Sequence, residues 1–540
     1  MQSESDRLFQ AAQNQLRRGE VEAVEAAIEA LLCLDAVDVR IPGLRAAICL
    51  RRGQPQDALV QLDRALEIQP DYAPTHNDRG LVLNQLGRTT EALDSFLRAA
   101  ALSPGMAVAH SNVAQTLNAL GRPEEALVSA DAALSLDQGL VNAWRHRGRA
   151  LFILESFDAA LASQQVALSR GGRRVDLLMD LAMTVAALGQ YGEALALFGE
   201  ASAAEPTTPL LRYRRAFVRL VTHDFAGGWR DYEERWTLGQ ADDQVPGSIT
   251  DRVRHRFTLN PTNLDLEGKR VLVVDEQGIG DKIMFASVLP DLAAVAAHVT
   301  CVVAARLFSL FVHAFPGIEI RAGSGPGIAD PDDYDVIVAL GSLPAAFRRS
   351  ITDFPGRPYL PVRPTIIADW RRRLGPRTTR LRIGISWRGG TATSRARARS
   401  MDLEQLSPLL DRADCEFFNL QYGDFADEVA TANGRRARPI VSLPPDDIRD
   451  FEPLAGLVSA LDAVVTVQTS LAHLTGALGQ TGLVMIPKNA EWRYGMAGSK
   501  MIWYDALRLI RQSDAGDWRP VIKEVGLALD GVGPASGEGR

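Results

Sequence analysis

The feature that most limits what this chain can fold into is a turn that returns every 34 residues. RRGQPQDAL, LGRTTEAL, LGRPEEAL, LESFDAAL and LGQYGEAL place Gly53, Gly87, Gly121, Glu155 and Gly189 at the same point of a repeating unit. Arg18-Gly19-Glu20 carries the register one unit back, and His223-Asp224-Phe225 carries it one unit forward. Small residues keep the same period at Ala58, Ala92, Ala126, Ala160 and Ala194, and again at Ala65, Ala99, Ala133, Ala167 and Ala201. Gly80, Ala114, Gly148 and Ala182 form a third set, and Pro70, Pro104 and Pro206 stop the second helix of their units. A unit of this length is one helix-turn-helix, which cannot bury its apolar face alone and does so against its neighbours.

These coincident positions resemble the tetratricopeptide repeat across roughly residues 5–236. The resemblance implies an extended concave surface that binds protein. Asp78, Asn112, His146 and Asp180, nine residues before successive turn positions, are polar and are expected to face that groove and contact an acceptor. In the O-linked GlcNAc transferases, which this half resembles, an asparagine ladder at this place holds the acceptor backbone. Here only Asn112 is asparagine, and solvated polar positions on a helix face remain the alternative.

Composition bounds the rest. The chain has 540 residues, 46% hydrophobic and 23% charged, enough for several cores. A formal net charge of -7 leaves no footprint for nucleic acid, which needs clustered Lys and Arg. Cys33, Cys49, Cys301 and Cys415 have no CxxC spacing, so neither a zinc site nor a disulfide framework is expected, and reduced thiols in the cytoplasm are the simple reading. The N-terminal residues lack a basic segment followed by an apolar run, and no stretch of 18 apolar residues follows; the expectation is neither an exported nor a membrane-spanning chain.

The second half changes pattern. Short apolar runs at 269–274, 299–303, 318–321, 335–340, 381–387, 417–421, 463–467 and 482–487 read as buried parallel strands, and 368–374 as a connecting helix. Two of these runs pass through a polar turn into a helix, at Asp275-Glu276-Gln277-Gly278-Ile279-Gly280-Asp281 and at Gln468-Thr469-Ser470-Leu471-Ala472-His473. The expected class is therefore α plus α/β: a helical solenoid (1–236), a linker (237–266), two Rossmann-like domains (267–365 and 366–530) and a disordered tail (531–540). Two such domains face each other with the carboxyl ends of their strands.

EQGIGDKIMFASVLP, IGISWRGG, VQTSLAHLTGALG and PKNAEWRYG, together with HDFAGGWRDYEERW ahead of them, resemble the GT-B glycosyltransferases related to lipopolysaccharide heptosyltransferases, especially a bacterial branch fused behind tetratricopeptide repeats. The resemblance spans about residues 268–512. It implies an acceptor-side domain, then a donor-binding domain, and a metal-independent transferase that takes sugar from a nucleotide-activated donor without a further cofactor. The expected product is a glycosylated Ser or Thr of a protein such as flagellin, with a nonulosonic acid as one donor. A non-catalytic adaptor with a decayed module, and a transferase acting on lipopolysaccharide or another glycan, stay open.

Inverting transfer needs a base for the acceptor hydroxyl and N–H dipoles or cations for the departing phosphate. Asp281, beyond Gly278 and Gly280, stands where the resembling heptosyltransferases carry their catalytic aspartate, and its alternative is an N-cap carboxylate. Glu276 is the second-choice acid or an orienting group. Gly280, Thr469, Ser470 and the backbone of Leu471 suit the donor phosphate at a helix start. Gln468 stands where the family commonly has aspartate, so a charged sugar contact does not carry over, although an amide still hydrogen-bonds a hydroxyl or carboxylate. His473 reads equally as a donor contact or a packed core histidine. One or two of Arg388, Arg395 and Arg399, in a locally basic loop, are expected on the donor, with a solvated mobile loop as the alternative; Gln421 at the end of its strand and Lys488 and Trp492 among Glu491, Arg493 and Tyr494 are placed there too, a packed lid being the alternative for that last group. No DxD pair suits a metal: Asp332-Asp333 and Asp446-Asp447 sit in turns.

Overall fold

The computed structural model describes residues 4–34, 38, 40–238, 265–323, 328–390, 396–444 and 448–533. Most of the expected linker, the end of the expected tail, Arg395 and Asp446-Asp447 lie outside them. The chain divides into two compact units, Met1–Thr184 and Val185–Arg540.

The first unit is an array of helix pairs, beginning with Glu4–Arg18 and Val21–Leu34 and continuing through Arg40–Arg51 and Pro55–Ile68, Ala73–Gln85 and Thr89–Leu102, Ala107–Ala119 and Pro123–Leu136, and Val141–Ile153 and Phe157–Gly171. The turn inside each pair has one geometry. Gly19, Gly53, Gly87, Gly121, Glu155, Gly189 and His223 all have φ between 59° and 83°. The N–H that follows reaches back to the carbonyl five residues earlier, as from Gln54 to Cys49, Arg88 to Leu83, Arg122 to Leu117 and Ser156 to Leu151, each at 2.9 Å. That pairing closes the helix end and needs a left-handed residue, for which glycine has no steric cost.

The periodic small residues are equally accounted for. The two alanine sets, from Ala58 and from Ala65, have no exposed surface. A Cβ on Gly80 would lie 2.6 Å from the Phe96 ring, and one on Gly148 would lie 2.7 Å from Gln164 Cγ. Glu155 keeps the turn without being glycine, at φ 59°. Glu155→Gly is expected to stabilise this unit by about 1 kcal/mol, the usual cost of a left-handed non-glycine residue. Circular dichroism melting should show a rise of roughly 2–4 °C; an unchanged or lower midpoint would contradict strain at this turn.

The second unit opens with helices Tyr191–Ala204, Pro209–Val221, Phe225–Tyr232 and Glu234–Thr237. Helices run on to Thr237, and the last of them belong to the α/β unit, because Trp229 and Tyr232 lie in its core and Arg235 is buried beside them. Strands β1 (Arg270–Val274), β2 (His298–Val303), β3 (Glu319–Ala322) and β4 (Val336–Ala339) form a parallel sheet of order β3-β2-β1-β4. Strands β5 (Leu381–Ser386), β6 (Cys415–Asn419), β7 (Val441–Ser442), β8 (Ala463–Val467), β9 (Gly482–Ile486), β10 (Lys500–Met501) and β11 (Tyr504–Arg511) form a second, of order β10-β11-β9-β8-β5-β6-β7. Only β10 runs antiparallel to its neighbour.

β1, β8 and β9 are buried along almost their whole length, which explains their unbroken Val, Leu and Ile runs. β7, β10 and β11 were not expected; β7 and β10 have two residues each and carry no readable pattern. In each sheet the strand order reverses direction, between β1 and β4 in the first and between β5 and β8 in the second. In sheets of this kind ligands bind at such reversal points, beyond the carboxyl ends of the strands, and the two polar turns singled out from the sequence leave β1 and β8 there.

Candidate functional site

The first turn is built around buried charge. Asp275 follows β1, accepts from the Ala304 N–H at 2.7 Å and pairs with Lys282 at 2.9 Å, which ties the end of β1 to the end of β2. Glu276 is enclosed. Arg235 grips it with Nη2–Oε1 at 2.6 Å and Nε–Oε2 at 2.9 Å, and extends to Glu233 at 2.6 Å and to Ser342 Oγ at 2.8 Å. Gly341 permits this, since a Cβ there would lie 2.5 Å from Glu276 Oε1. Glu276 is thus a structural carboxylate rather than a second acid: its side chain has no exposure from which to meet a substrate. Gln277 then takes φ 69°, rare for a residue with a side chain, and donates to the Tyr232 hydroxyl.

Gly278 occupies the N-cap of the helix Ile279–Phe285, so Asp281 is not the cap. Its carboxylate instead pairs with the Arg493 guanidinium. Burial pushes the Asp281 carboxyl above its ordinary value, with Arg493 pulling the other way. Arg493 also lies 3.3 Å from Glu491 and 4.8 Å over the Trp492 ring.

The second turn meets the first. Thr469 caps the helix Ser470–Ala477, accepting from the Leu471 N–H at 3.2 Å. A Cβ on Gly280 would lie 3.3 Å from Ser470 Cα and 3.1 Å from His473 Cδ2, so the turns after β1 and β8 touch. A third loop, after β5, crosses the second turn: a Cβ on Gly389 would lie 2.8 Å from the Gln468 carbonyl oxygen and 2.9 Å from Thr469 Cγ2. Gly389→Ala is therefore expected to cost about 1–3 kcal/mol, as overpacking does. A chemical-denaturation midpoint equal to that of the native chain would show that the loop can move aside.

Gln468 is the unusual member. Its side chain is 2% exposed, and neither amide atom has a hydrogen-bond partner. A buried amide normally satisfies both, because leaving either unpaired costs about 1–3 kcal/mol. Trp492 Nε1, Arg493 Nε and Gln512 Nε2, which follow β9 and β11, are likewise buried without partners.

Other expected donor contacts have different roles. His473 is buried, with Nδ1 3.3 Å from the Tyr504 hydroxyl and Nε2 3.4 Å from that of Tyr494. Burial and then Arg493 lower it to about 3, so it is a neutral, packed histidine. Gln421 lies beyond β6, and its amide oxygen accepts from Ser386 Oγ, Trp387 N and Arg388 N at 2.8–3.0 Å; it braces the β5 loop. Arg388 is held by Glu428 at 3.0 Å and Asp402 at 3.1 Å, which neutralise it. Trp492 packs edge-on to Trp229 at 5.6 Å with Arg493 over its ring, which removes it as an open platform for a base. Arg399 is near Glu491 at 3.8 Å, within the site, and Lys488 is exposed beyond β9. Sequence reasoning missed Arg235, Glu233 and Tyr232 as supports of the first turn; HDFAGGWRDYEERW carried the signal as a dense charged and aromatic run.

In the first unit the expected acceptor positions divide. Asp78 is exposed, and Asn112, half-buried, donates to Asn77 Oδ1 at 2.8 Å. His146 and Asp180 are buried, which corrects their reading as groove contacts. Arg145 holds Asp180 at 2.7 Å, and burial lowers His146 to about 4.

Among the described residues no group of three His, Cys, Asp or Glu is placed to hold a metal, and no helix is long and apolar enough to cross a membrane.

Residues 44–107 match the tetratricopeptide repeat family. Protein FlbA of Caulobacter vibrioides is 27% identical over 365 residues, which cover 63% of this chain and 59% of that protein, so the match spans less than two thirds of the relative. Among solved structures, Pseudomonas aeruginosa PilF has TM-score 0.34 and 17% identity, covering 38% of this chain and 93% of its own. A tetratricopeptide repeat protein of Parabacteroides merdae has TM-score 0.36 and 17% identity, covering 44% and 93%. The chain thus carries a helical repeat solenoid of the tetratricopeptide type ahead of its parallel sheets.

Proposed function

We propose that the chain is a metal-independent GT-B glycosyltransferase that moves sugar from a nucleotide-activated donor to Ser or Thr of a protein recruited by the repeats, flagellin being one such protein and a nonulosonic acid one such sugar. The observation that carries the reading is the contact of the Gly280-Asp281 turn with the Thr469-Ser470 helix start, beside the unpaired Gln468 amide. Asp281 takes the acceptor hydroxyl proton while the oxygen forms its bond to the anomeric carbon. The bond from that carbon to the phosphate oxygen breaks, and its electron pair leaves with the phosphate. The helix N-terminus and Arg493 are suited to that growing negative charge.

Titration calorimetry of the full chain with CMP, UDP, GDP and ADP, followed by intact-mass measurement of an acceptor protein incubated with the matching nucleotide sugar, tests the reading. Binding of one nucleotide and a sugar-sized mass increase support it; silence toward all four nucleotides leaves a binding protein built on the same fold. The pairing of Arg388 with two carboxylates and the closed Asp281–Arg493 contact favour that second reading, an adaptor. Release of sugar onto a glycan with no change in protein mass would favour a lipopolysaccharide-type acceptor.

A further inference from the structure

A base that is already ion-paired is a poor base, and the carboxylate assigned that task, Asp281, is closed onto a guanidinium. Asp281 retains about a fifth of its side-chain surface and Arg493 about a seventh, at 21% and 14%. The cation is oversubscribed with negative partners yet incompletely bonded: it faces Asp281 and Glu491, stacks on Trp492, and leaves Nε without an acceptor. Its neighbours form a chain of contacts that returns on itself. Arg493 meets Glu491, Glu491 meets Arg399, the Arg399 carbonyl lies by Gly389, Gly389 crosses Gln468 and Thr469, and Ser470 touches Gly280 beside Asp281. The helix start at Ser470 belongs to that ring, as does the backbone of Gln468, whose buried side-chain amide has both its atoms unpaired. Two guanidiniums and a helix start grouped in this way match the needs of a polyanion rather than of a single carboxylate.

We propose that Arg493 is an exchangeable latch: without donor it holds Asp281, and the phosphates of a nucleoside diphosphate or monophosphate take its guanidinium from that carboxylate, so that donor binding itself frees the base. This rests on the transferase reading and adds to it an order of events, donor before acceptor proton transfer. The exchange is of ion-pair partners only; no bond is made or broken, and the proton moves later, from acceptor hydroxyl to the released carboxylate. The direction in which burial shifts Asp281 agrees, since a carboxyl that loses its cation in so enclosed a place becomes the stronger base.

The latch has a consequence opposite to that of an ordinary active-site residue. Removing the charge of Asp281 removes a competitor for Arg493, so Asp281→Asn should bind the nucleotide more tightly than the native chain does, by about 3–10-fold, the worth of a partly exposed ion pair. Arg493→Met should weaken it by about 10–100-fold, as loss of a charge-assisted phosphate contact does, with Arg493→Lys between the two. The double variant should match Arg493→Met, because without the cation there is nothing for Asp281 to compete for. The measurement is calorimetry of full-length protein with CMP, UDP, GDP and ADP, each variant being first compared with the native chain by melting. If a nucleotide binds the native chain and Asp281→Asn binds it equally or more weakly, the latch is overturned while the transferase reading stands. If no nucleotide binds any form, both fall. Should Arg493→Met fail to fold, Arg493→Lys and Asp281→Asn still give opposite signs or overturn the idea.

Discussion

Asp281→Asn should lower sugar transfer by about 10²–10⁴-fold, the range expected for loss of a general base, without weakening nucleotide binding. The substitution keeps the shape of the side chain and removes its ability to take a proton, so the loss should appear in kcat. Unchanged turnover would remove Asp281 from the chemistry. The pH dependence gives a second measure. Burial raises the Asp281 carboxyl, and the base acts only when ionised, so activity is full above the raised value and falls as pH drops through it. The acid limb of kcat/KM should therefore lie above the ordinary aspartate value of about 3.9. With donor bound and the guanidinium drawn to phosphate, the limb of kcat should lie higher still. A limb at or below the ordinary value would mean that Arg493 outweighs burial and keeps the carboxylate a weak base.

What the sequence made legible follows the range over which each determinant acts. The repeat turn is local: a left-handed residue, a following N–H that closes the helix and a small residue at each helix contact all recur within one 34-residue unit, so period alone located them. The central strands β1, β8 and β9 were legible because burial on both faces demands unbroken apolar runs, and the positions of Gly280 and Thr469 because strand-to-helix turns have a local grammar. What escaped was pairing between segments far apart in the chain. Nothing near Glu276 announces Arg235, and nothing near Asp281 announces Arg493. His473 and Trp492 carry the residue types of a ligand site, yet neighbouring tyrosines and Trp229 use them for packing. Gln421 has the right position and a different task, since one amide oxygen gathers three donors from the β5 loop.

The largest effect on stability is expected at Arg235, through the same turn. Arg235 is 1% exposed and lies between Glu233 and Glu276, with Ser342 completing the cluster. Arg235→Met would leave two carboxylates in the interior with no cation, and breaking a buried ion pair from one side costs about 3–5 kcal/mol. A drop of roughly 5–10 °C in the melting of this unit should accompany it. Lysine is no substitute, because a single ammonium cannot grip Glu276 with two parallel bonds and still reach Glu233 and Ser342. The penalty is mostly that of the stranded charges, so adding Glu276→Gln to Arg235→Met should return part of the stability. Activity should not return with it: Gln277 is held at φ 69° between Glu276 and the Gly278-Asp281 turn, and an amide at 276 without Arg235 no longer fixes where Asp281 begins. Recovery of melting temperature without recovery of kcat would make Arg235 a positioning residue for the base, whereas recovery of both together would reduce it to a structural ion pair.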